Sequence, residues 1–334
     1  MRAVIILVIL AAVAFGGWKW YSGKQAAEAA RLEAEAKAAK DKGGESGFGG
    51  GPAPAADAPV PSELKPVLDQ AEALWAKLTK EGASPAATPK APLLDKLYSQ
   101  VLMGIYNKPG QKNLELKLMQ ERLTPLGNEL FFSKTRMPDD ETGLIAMHEV
   151  APGENPDGVA KKYGMSRELL NRMRGRDLND SKLNLSDRLK VVKVRESGGG
   201  LVHIDKSDFY LDCYLAGLFV RRYNISHGAK ETPTPIGKTR LTDRVLNPTW
   251  THPVTHEVFG PDDPKNILGK VWMAFSPDGI GQSGLGIHGY TGPNPQMQAL
   301  VSNGCVRLET TQAQELYGTL AHPDRCPTAV EIVE

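Results

Sequence analysis

Between Gly43 and Pro61 the chain runs GGESGFGGGPAPAADAPVP, a tract too poor in large apolar residues to offset the entropy of ordering it. It behaves as a flexible tether, so every folded unit must lie to one side of it. Upstream, Gly23 to Lys42 is made of Ala, Glu, Lys and Arg, which favour helix but present no apolar stripe large enough to bury. The expectation for residues 23–61 is a solvated helical stalk and a disordered linker. Ala3 to Phe15 is continuously apolar and reaches Trp20 if Gly16, Gly17 and Trp18 are counted, near the lower limit for a bilayer span. Trp18, Trp20 and Tyr21 sit where an interfacial aromatic belt would, and Arg2 supplies a short positive flank. The expectation is a transmembrane signal anchor over residues 1–22. A cleaved signal peptide is the competing reading, because Ala12-Val13-Ala14 has the small residues of a cleavage site. Both readings export everything after residue 24.

With 334 residues, several domains are the default. Forty basic residues against thirty-nine acidic ones leave a net charge of +1, so no overall field draws the chain to nucleic acid. No nucleic-acid partner is expected. Cys213, Cys305 and Cys326 are an odd number, so at least one thiol has no partner within the chain. Cys213 and Cys326 either form a disulfide or stay as two separate buried thiols.

From residue 62 to 132 apolar positions recur at helical spacing, as in Leu64, Val67, Leu68, Ala71, Leu74, Trp75 and Leu78. The pattern repeats over Leu93–Tyr106 and Leu114–Leu126, between breaks carrying Pro and Gly. Three helices can pack into a small bundle, a spacer or protein-contact module for which the residues name no partner. From residue 143 to 195 the order becomes strand, helix, helix, strand. His148–Val150 suits an edge strand, Asn155 or Asp157 caps one helix and Ser166 a second, and Leu189, Val191 and Val194 close the sheet. The run HEVAPGENPDGVAKKYGMSRELLNRMRG, followed by LNLSDRLKVVKV, resembles a LysM module. Asn155-Pro156 stands where a more typical module carries Leu or Thr-Leu. That resemblance implies binding to N-acetylglucosamine-containing chains of peptidoglycan.

After the Gly-rich joint Ser197–Gly200, Val202–Asp205, Phe209–Leu215, Leu218–Ser226 and Gly237–Asp243 have strand-like composition, which predicts a barrel or sandwich over residues 201–334. Its chemistry concentrates in Ile287-His288-Gly289 and Ser302-Asn303-Gly304-Cys305-Val306-Arg307-Leu308. A thiol is mostly protonated near neutrality, and acyl transfer needs a neighbouring imidazole to activate it. His288 is the candidate general base and then general acid for Cys305. Gly304 permits a tight turn, and the Gly304 and Cys305 N–H groups can face a developing oxyanion. Ser302 can orient the backbone or the imidazole, and Arg307 can fix the loop or hold a substrate carboxylate. Gly289, Asn303, Tyr290 and Trp272 complete the candidate substrate-binding set.

These motifs resemble the L,D-transpeptidase catalytic domain, also called the YkuD domain, whose signature places a His-Gly pair before a Ser-His-Gly-Cys-apolar-Arg run. Glu231-Thr232-Pro233-Thr234-Pro235-Ile236-Gly237 is similar to the family's Thr-Pro-x-Gly turn, and Asn247-Pro248-Thr249-Trp250 to its Asn-Pro-x-Trp element. Asn303 replaces the usual second histidine; it hydrogen-bonds but cannot titrate. The resemblance implies a multidomain exported protein: a mainly-β L,D-transpeptidase-like barrel or sandwich with short helices, preceded by the small βααβ LysM-like module, the helical region and the membrane anchor. It implies attack of Cys305 on a peptidoglycan tetrapeptide stem, loss of D-alanine, and transfer to a neighbouring stem (a 3-3 cross-link), to a protein lysine or to water, without metal or other cofactor. The rivals are an L,D-carboxypeptidase or endopeptidase on the same fold and a non-catalytic peptidoglycan-binding scaffold. A metal site is a weaker rival, since His322 and Cys326 have ligand-like spacing but no Cys-x-x-Cys or His-Glu-x-x-His motif occurs.

Overall fold

The computed structural model describes residues 58–334 except 139, 253–254 and 293–295. The expected signal anchor and nearly all of the expected stalk and linker lie outside the described residues. Among the described residues no helix is long and apolar enough to cross a membrane.

Helices α1 (Lys65–Lys80), α2 (Ala91–Ile105), α3 (Lys112–Lys117) and α4 (Thr124–Phe131) come first. Between α3 and α4, Leu118–Leu123 widens into i→i+5 bonding. Pro125 explains the widening: it lacks the N–H that would bond the Glu121 carbonyl. The helices do not close into a free-standing bundle. Leu94, Tyr98, Val101, Leu102, Leu126 and Leu130 are fully buried in a core continuous with the β-rich part.

β1 (Ile145–Glu149), α5 (Pro156–Tyr163), α6 (Arg167–Met173) and β2 (Arg188–Val192) follow in the expected βααβ order, with β1 and β2 antiparallel. Asn155 accepts from Gly158 N–H and Ser166 from Leu169 N–H, each satisfying a helix-end donor that would otherwise lack an acceptor.

The remaining elements are β3 (Gly200–Asp205), β4 (Tyr210–Leu215), β5 (Leu218–Asn224), β6 (His227–Gly228), β7 (Gly237–Leu246), β8 (Trp250–Thr251), β9 (Val258–Phe259), β10 (Val271–Phe275), β11 (Gly286–His288), β12 (Leu300–Ser302), β13 (Val306–Arg307), α7 (Thr310–Thr319) and β14 (Thr328–Val333). Eight strands form one sheet in the order β13-β11-β10-β7-β14-β3-β4-β5. It curls until Ser226, just past β5, bridges Arg307 of β13 through two N–H···O bonds of 2.9 and 2.7 Å. The alternatives of barrel and sandwich thus resolve to a curled sheet whose two ends meet at one bridge.

Edge strand β5 is covered rather than exposed, which removes a pairing hazard. The fully buried Asp95 of α2 accepts from Phe219 N–H at 2.7 Å, and Ser99 Oγ donates to the same carboxyl at 2.9 Å. Burial pushes the Asp95 carboxyl up to about 8. Gly127 of α4 lies so close that a Cβ there would sit 2.4 Å from the Val220 carbonyl oxygen. Arg222 bonds Asp212 through Nε and a terminal nitrogen at 2.7 and 2.6 Å and reaches Glu115 at 2.6 Å. Tyr106 donates to Asp212 at 2.5 Å and stacks on His203 with ring centroids 3.9 Å apart. The spacer reading of residues 62–132 is corrected here: the region is built into the sheet edge by paired, largely buried charges. All three cysteines are free thiols, with Cys213 and Cys326 buried, so the disulfide alternative gives way to two separate thiols.

Candidate active site

Across β10, β11 and β13 the register pairs Trp272 with His288 and His288 with Arg307. Side chains directly opposite in a sheet share a face, so these three form one row. Extending the parallel register of Ile287 with Val306 back one residue sets Cys305 beside Gly286. Cys305 therefore lies on the face of His288, one strand over and two residues along, a diagonal of about 7–8 Å between Cα atoms that side chains can bridge. Both line a cleft of about 380 Å3 together with Trp272, Ser302, Asn303 and Arg307.

The imidazole is held in one orientation. His288 is 3% exposed, and its Nδ1 bonds the Gly289 carbonyl. A carbonyl only accepts, so Nδ1 carries the hydrogen and the lone pair of the neutral ring is on Nε2. Burial pushes the imidazole down to about 4, with the Gly289 carbonyl opposing and the Arg307 cation adding to the fall. The Cys305 thiol is raised above its ordinary value by burial, while the Gly286 N–H and the Arg307 guanidinium pull it back. Both shifts favour the thiol and the neutral imidazole over their charged forms. Burial penalises the charged forms of both groups.

A hydroxyl network shapes the turn that presents the sulfur. Ser302 Oγ donates to the Cys305 carbonyl at 2.6 Å and accepts from Gly304 N–H at 3.2 Å. The Gly304 N–H is therefore already committed, which corrects its expected place facing an oxyanion; the Cys305 N–H has no such acceptor among the described residues. Gly304 adopts φ +101°, which favours glycine, and a Cβ would touch Leu285 at 3.0 Å. Thr234, 1% exposed, accepts from Gly228 N–H at 2.9 Å and donates to the Gly304 carbonyl at 2.8 Å. Thr232 donates to the Ser302 carbonyl at 2.9 Å. The Thr-Pro-Thr-Pro turn thus buttresses the cysteine loop from behind, a role spacing alone did not assign.

Among the other candidates, Trp272 lines the cleft with its ring centroid 5.7 Å from that of His288. Asn303 is exposed at the rim. Arg307 lies over the Tyr290 ring at 4.2 Å, and its buried Nε has no hydrogen-bond partner. Tyr290 thus supports Arg307 and does not line the cleft, and Gly289 contributes its carbonyl rather than a surface. Trp250, outside the candidate set, also lines the cleft, and its ring stacks on Phe259 at 5.4 Å where β8 pairs with β9. Its place in the Asn-Pro-x-Trp element was the signal that could have found it. Among the described residues no group of three or more His, Cys, Asp or Glu side chains is placed to hold a metal. His322 faces Asp243 at 3.3 Å, and a Cβ on Gly164 would meet the Cys326 sulfur at 3.1 Å.

No curated protein matches the sequence. Among solved structures the chain is similar to an L,D-transpeptidase from Mycobacterium tuberculosis H37Rv, at 15% identity over 45% of this chain and 62% of that one, with a TM-score of 0.32. It is also similar to the catalytic domain of the E. faecium L,D-transpeptidase, at 18% identity over 41% of this chain and 98% of that one, with a TM-score of 0.32. The chain spans 55% to 66% of the length of the first three structures it matches. The family model described as the YkuD L,D-transpeptidase catalytic domain matches residues 199–332. The matched segment is the part of the chain that carries the curled sheet, the cleft, His288 and Cys305.

Proposed function

We propose that the chain is an L,D-transpeptidase that acts on peptidoglycan tetrapeptide stems through a cysteinyl thioester. The carrying observation is the β11/β13 register, which sets Cys305 on the same face as a histidine whose Nδ1–H is held by the Gly289 carbonyl. In the first half-reaction Sγ attacks the carbonyl carbon of the third stem residue while its proton passes to His288 Nε2. The oxyanion is met by the Cys305 N–H. As the C–N bond breaks, His288 returns that proton to the amine of departing D-alanine. A neighbouring stem's amine then attacks the thioester, loses a proton to His288, and releases the sulfur as the thiol to leave a 3-3 cross-link. A protein lysine as acceptor makes the product an anchored protein, and water makes the enzyme a carboxypeptidase. Because both shifts favour the neutral pair, the proton moves as the S–C bond forms. Arg307, which lines the cleft, is assigned to hold a substrate carboxylate through its guanidinium.

The same reading assigns residues 143–195 to peptidoglycan binding as a LysM-like module, and residues 1–22 to membrane anchoring with the catalytic domain in the periplasm or wall space. The βααβ order and the export-type amino terminus support these assignments. Incubating purified disaccharide-tetrapeptide with wild type and Cys305→Ala, followed by mass spectrometry, tests the reaction. D-alanine release with 3-3 dimers, both lost in the variant, is the expected result. Free tripeptide acid without dimers selects the carboxypeptidase, and no turnover by either protein rejects the proposal.

A further inference from the structure

Away from the cleft, a pocket of about 200 Å3 is lined by Lys134, Arg136, Arg174, Arg176, Arg188 and Lys190 over a floor of Met173 and Leu189. In a chain of net charge +1 this is a concentrated field. The acidic groups facing it are few. Asp187 lines it and bonds the Asn184 N–H and amide at 3.3 and 3.2 Å, and Asp180 lies 3.5 Å from Arg174. Glu129 nearby is taken by Ser133 and Thr135, both at 2.6 Å.

Two cations are fixed and four are available. Lys190 donates to the carbonyls of Glu129 and Ser133 at 2.8 and 3.1 Å, and Arg174 to Asn171 Oδ1 and the Lys182 carbonyl at 2.8 and 2.9 Å. Lys190 is buried and Arg174 half-buried, and both are tied to protein acceptors, so they act as preset charge. Lys134, Arg136, Arg176 and Arg188 are exposed and have no acidic partner among the described residues. Gly175, at φ +62°, leaves the space through which Lys134 passes; a Cβ there would sit 1.8 Å from its Cε.

We infer that this pocket is a binding site for successive phosphate groups of an anionic polymer. Guanidinium forks match tetrahedral oxyanions bidentately, and three of them with one lysine spaced around one small concavity favour repeated charges over a single small anion. No aromatic residue lines the pocket, so it offers no platform for stacking bases, which argues against nucleic acid. The site does not depend on the transpeptidase reading.

The test is fluorescence anisotropy of labelled long-chain polyphosphate with the full chain in neutral detergent. By the counterion-release relation for phosphate polymers, four contacts give a log–log salt slope of about −3, so raising salt from 50 to 200 mM weakens binding about 60-fold. Arg136→Gln/Arg176→Gln/Arg188→Gln removes at least about 30-fold at 50 mM salt, with an unchanged melting temperature because all three side chains are exposed. Each single variant flattens the slope by about 1, which reads the effect even if the triple variant folds poorly. Cys305 labelling stays at the wild-type rate in these variants, so a failure here is separable from a failure of the proposed reaction. The inference is overturned by a triple variant that binds polyphosphate as wild type does. Equal or tighter binding of polyglutamate, single-stranded DNA or anionic lipid vesicles overturns it as well.

Discussion

Replacing Thr234 with Val changes almost nothing in shape and removes one hydroxyl that holds two backbone groups. That hydroxyl accepts from Gly228 N–H at 2.9 Å and donates to the Gly304 carbonyl at 2.8 Å, in a side chain only 1% exposed. Water cannot replace it without opening the turn. Each buried group left unpaired costs about 1–3 kcal/mol, so with two such groups Thr234→Val is expected to lose about 2–6 kcal/mol. Against a total stability of about 5–15 kcal/mol, urea unfolding resolves such a loss as a lower midpoint at unchanged slope. The chemical consequence is larger than the stability loss suggests, because Gly304 immediately precedes the nucleophile. A displacement of about 1 Å at a reacting group costs on the order of 100-fold in rate. Acylation of Cys305 by a carbapenem, followed by stopped-flow absorbance, is expected to slow 10- to 100-fold at saturation, by the same misplacement argument, with half-saturation little changed. Thr234→Ser keeps the hydroxyl and restores most of the rate. If Thr234→Val unfolds and acylates like wild type, the buttress argument is wrong.

Other outcomes follow from the buried charges. Because burial raises the Cys305 thiol and pushes His288 down to about 4, alkylation by neutral iodoacetamide rises continuously from pH 6 to above 9, without the plateau near neutrality that a preformed thiolate–imidazolium pair gives. The same lowered His288 value means that its stability contribution is present above the ordinary histidine range and is lost as pH falls from about 6.5 toward 4, which His288→Gln removes from the pH dependence of the unfolding midpoint. Asp95 has the opposite sign: its carboxyl is raised to about 8, so its contribution is full below the ordinary carboxylate value and falls as pH rises toward 8, and Asp95→Asn flattens that decline in urea titrations. Arg307→Gln is expected to raise KM for the tetrapeptide about 10-fold or more, as loss of a charge-assisted bond costs about 1.5–3 kcal/mol.

What was legible in the residues was local. Alternation and turn residues found β3, β4, β5 and the start of β7, and Asn155 and Ser166 marked helix starts that the structure caps as expected. The motifs around 288 and 305 each stood out as a short run with its own chemistry, and the structure sets both residues in the lining of one cleft. What escaped was set by distant partners. Nothing near Asp95 in sequence announces that it will receive the Phe219 N–H, and apolar spacing in residues 62–132 reports a buried face without naming the sheet edge that buries it. The burial that disfavours the charged forms of Cys305 and His288 was equally hidden, since desolvation depends on the whole surrounding fold. Thr234 lies in between: its motif was visible, but the hydroxyl's two backbone partners, six and seventy residues away, were not.

The central claim is that the Cys305 sulfur carries the acyl group and that the His288 imidazole moves its proton. Intact-protein mass spectrometry of a Cys213→Ser/Cys326→Ser background, mixed with tetrapeptide stem and quenched in acid at early times, measures this directly. The account predicts a single covalent adduct equal to the stem less D-alanine, mapped to Cys305, and its loss when His288→Ala is added although the protein still folds. An adduct on another residue, or undiminished adduct formation in the His288→Ala protein, contradicts it.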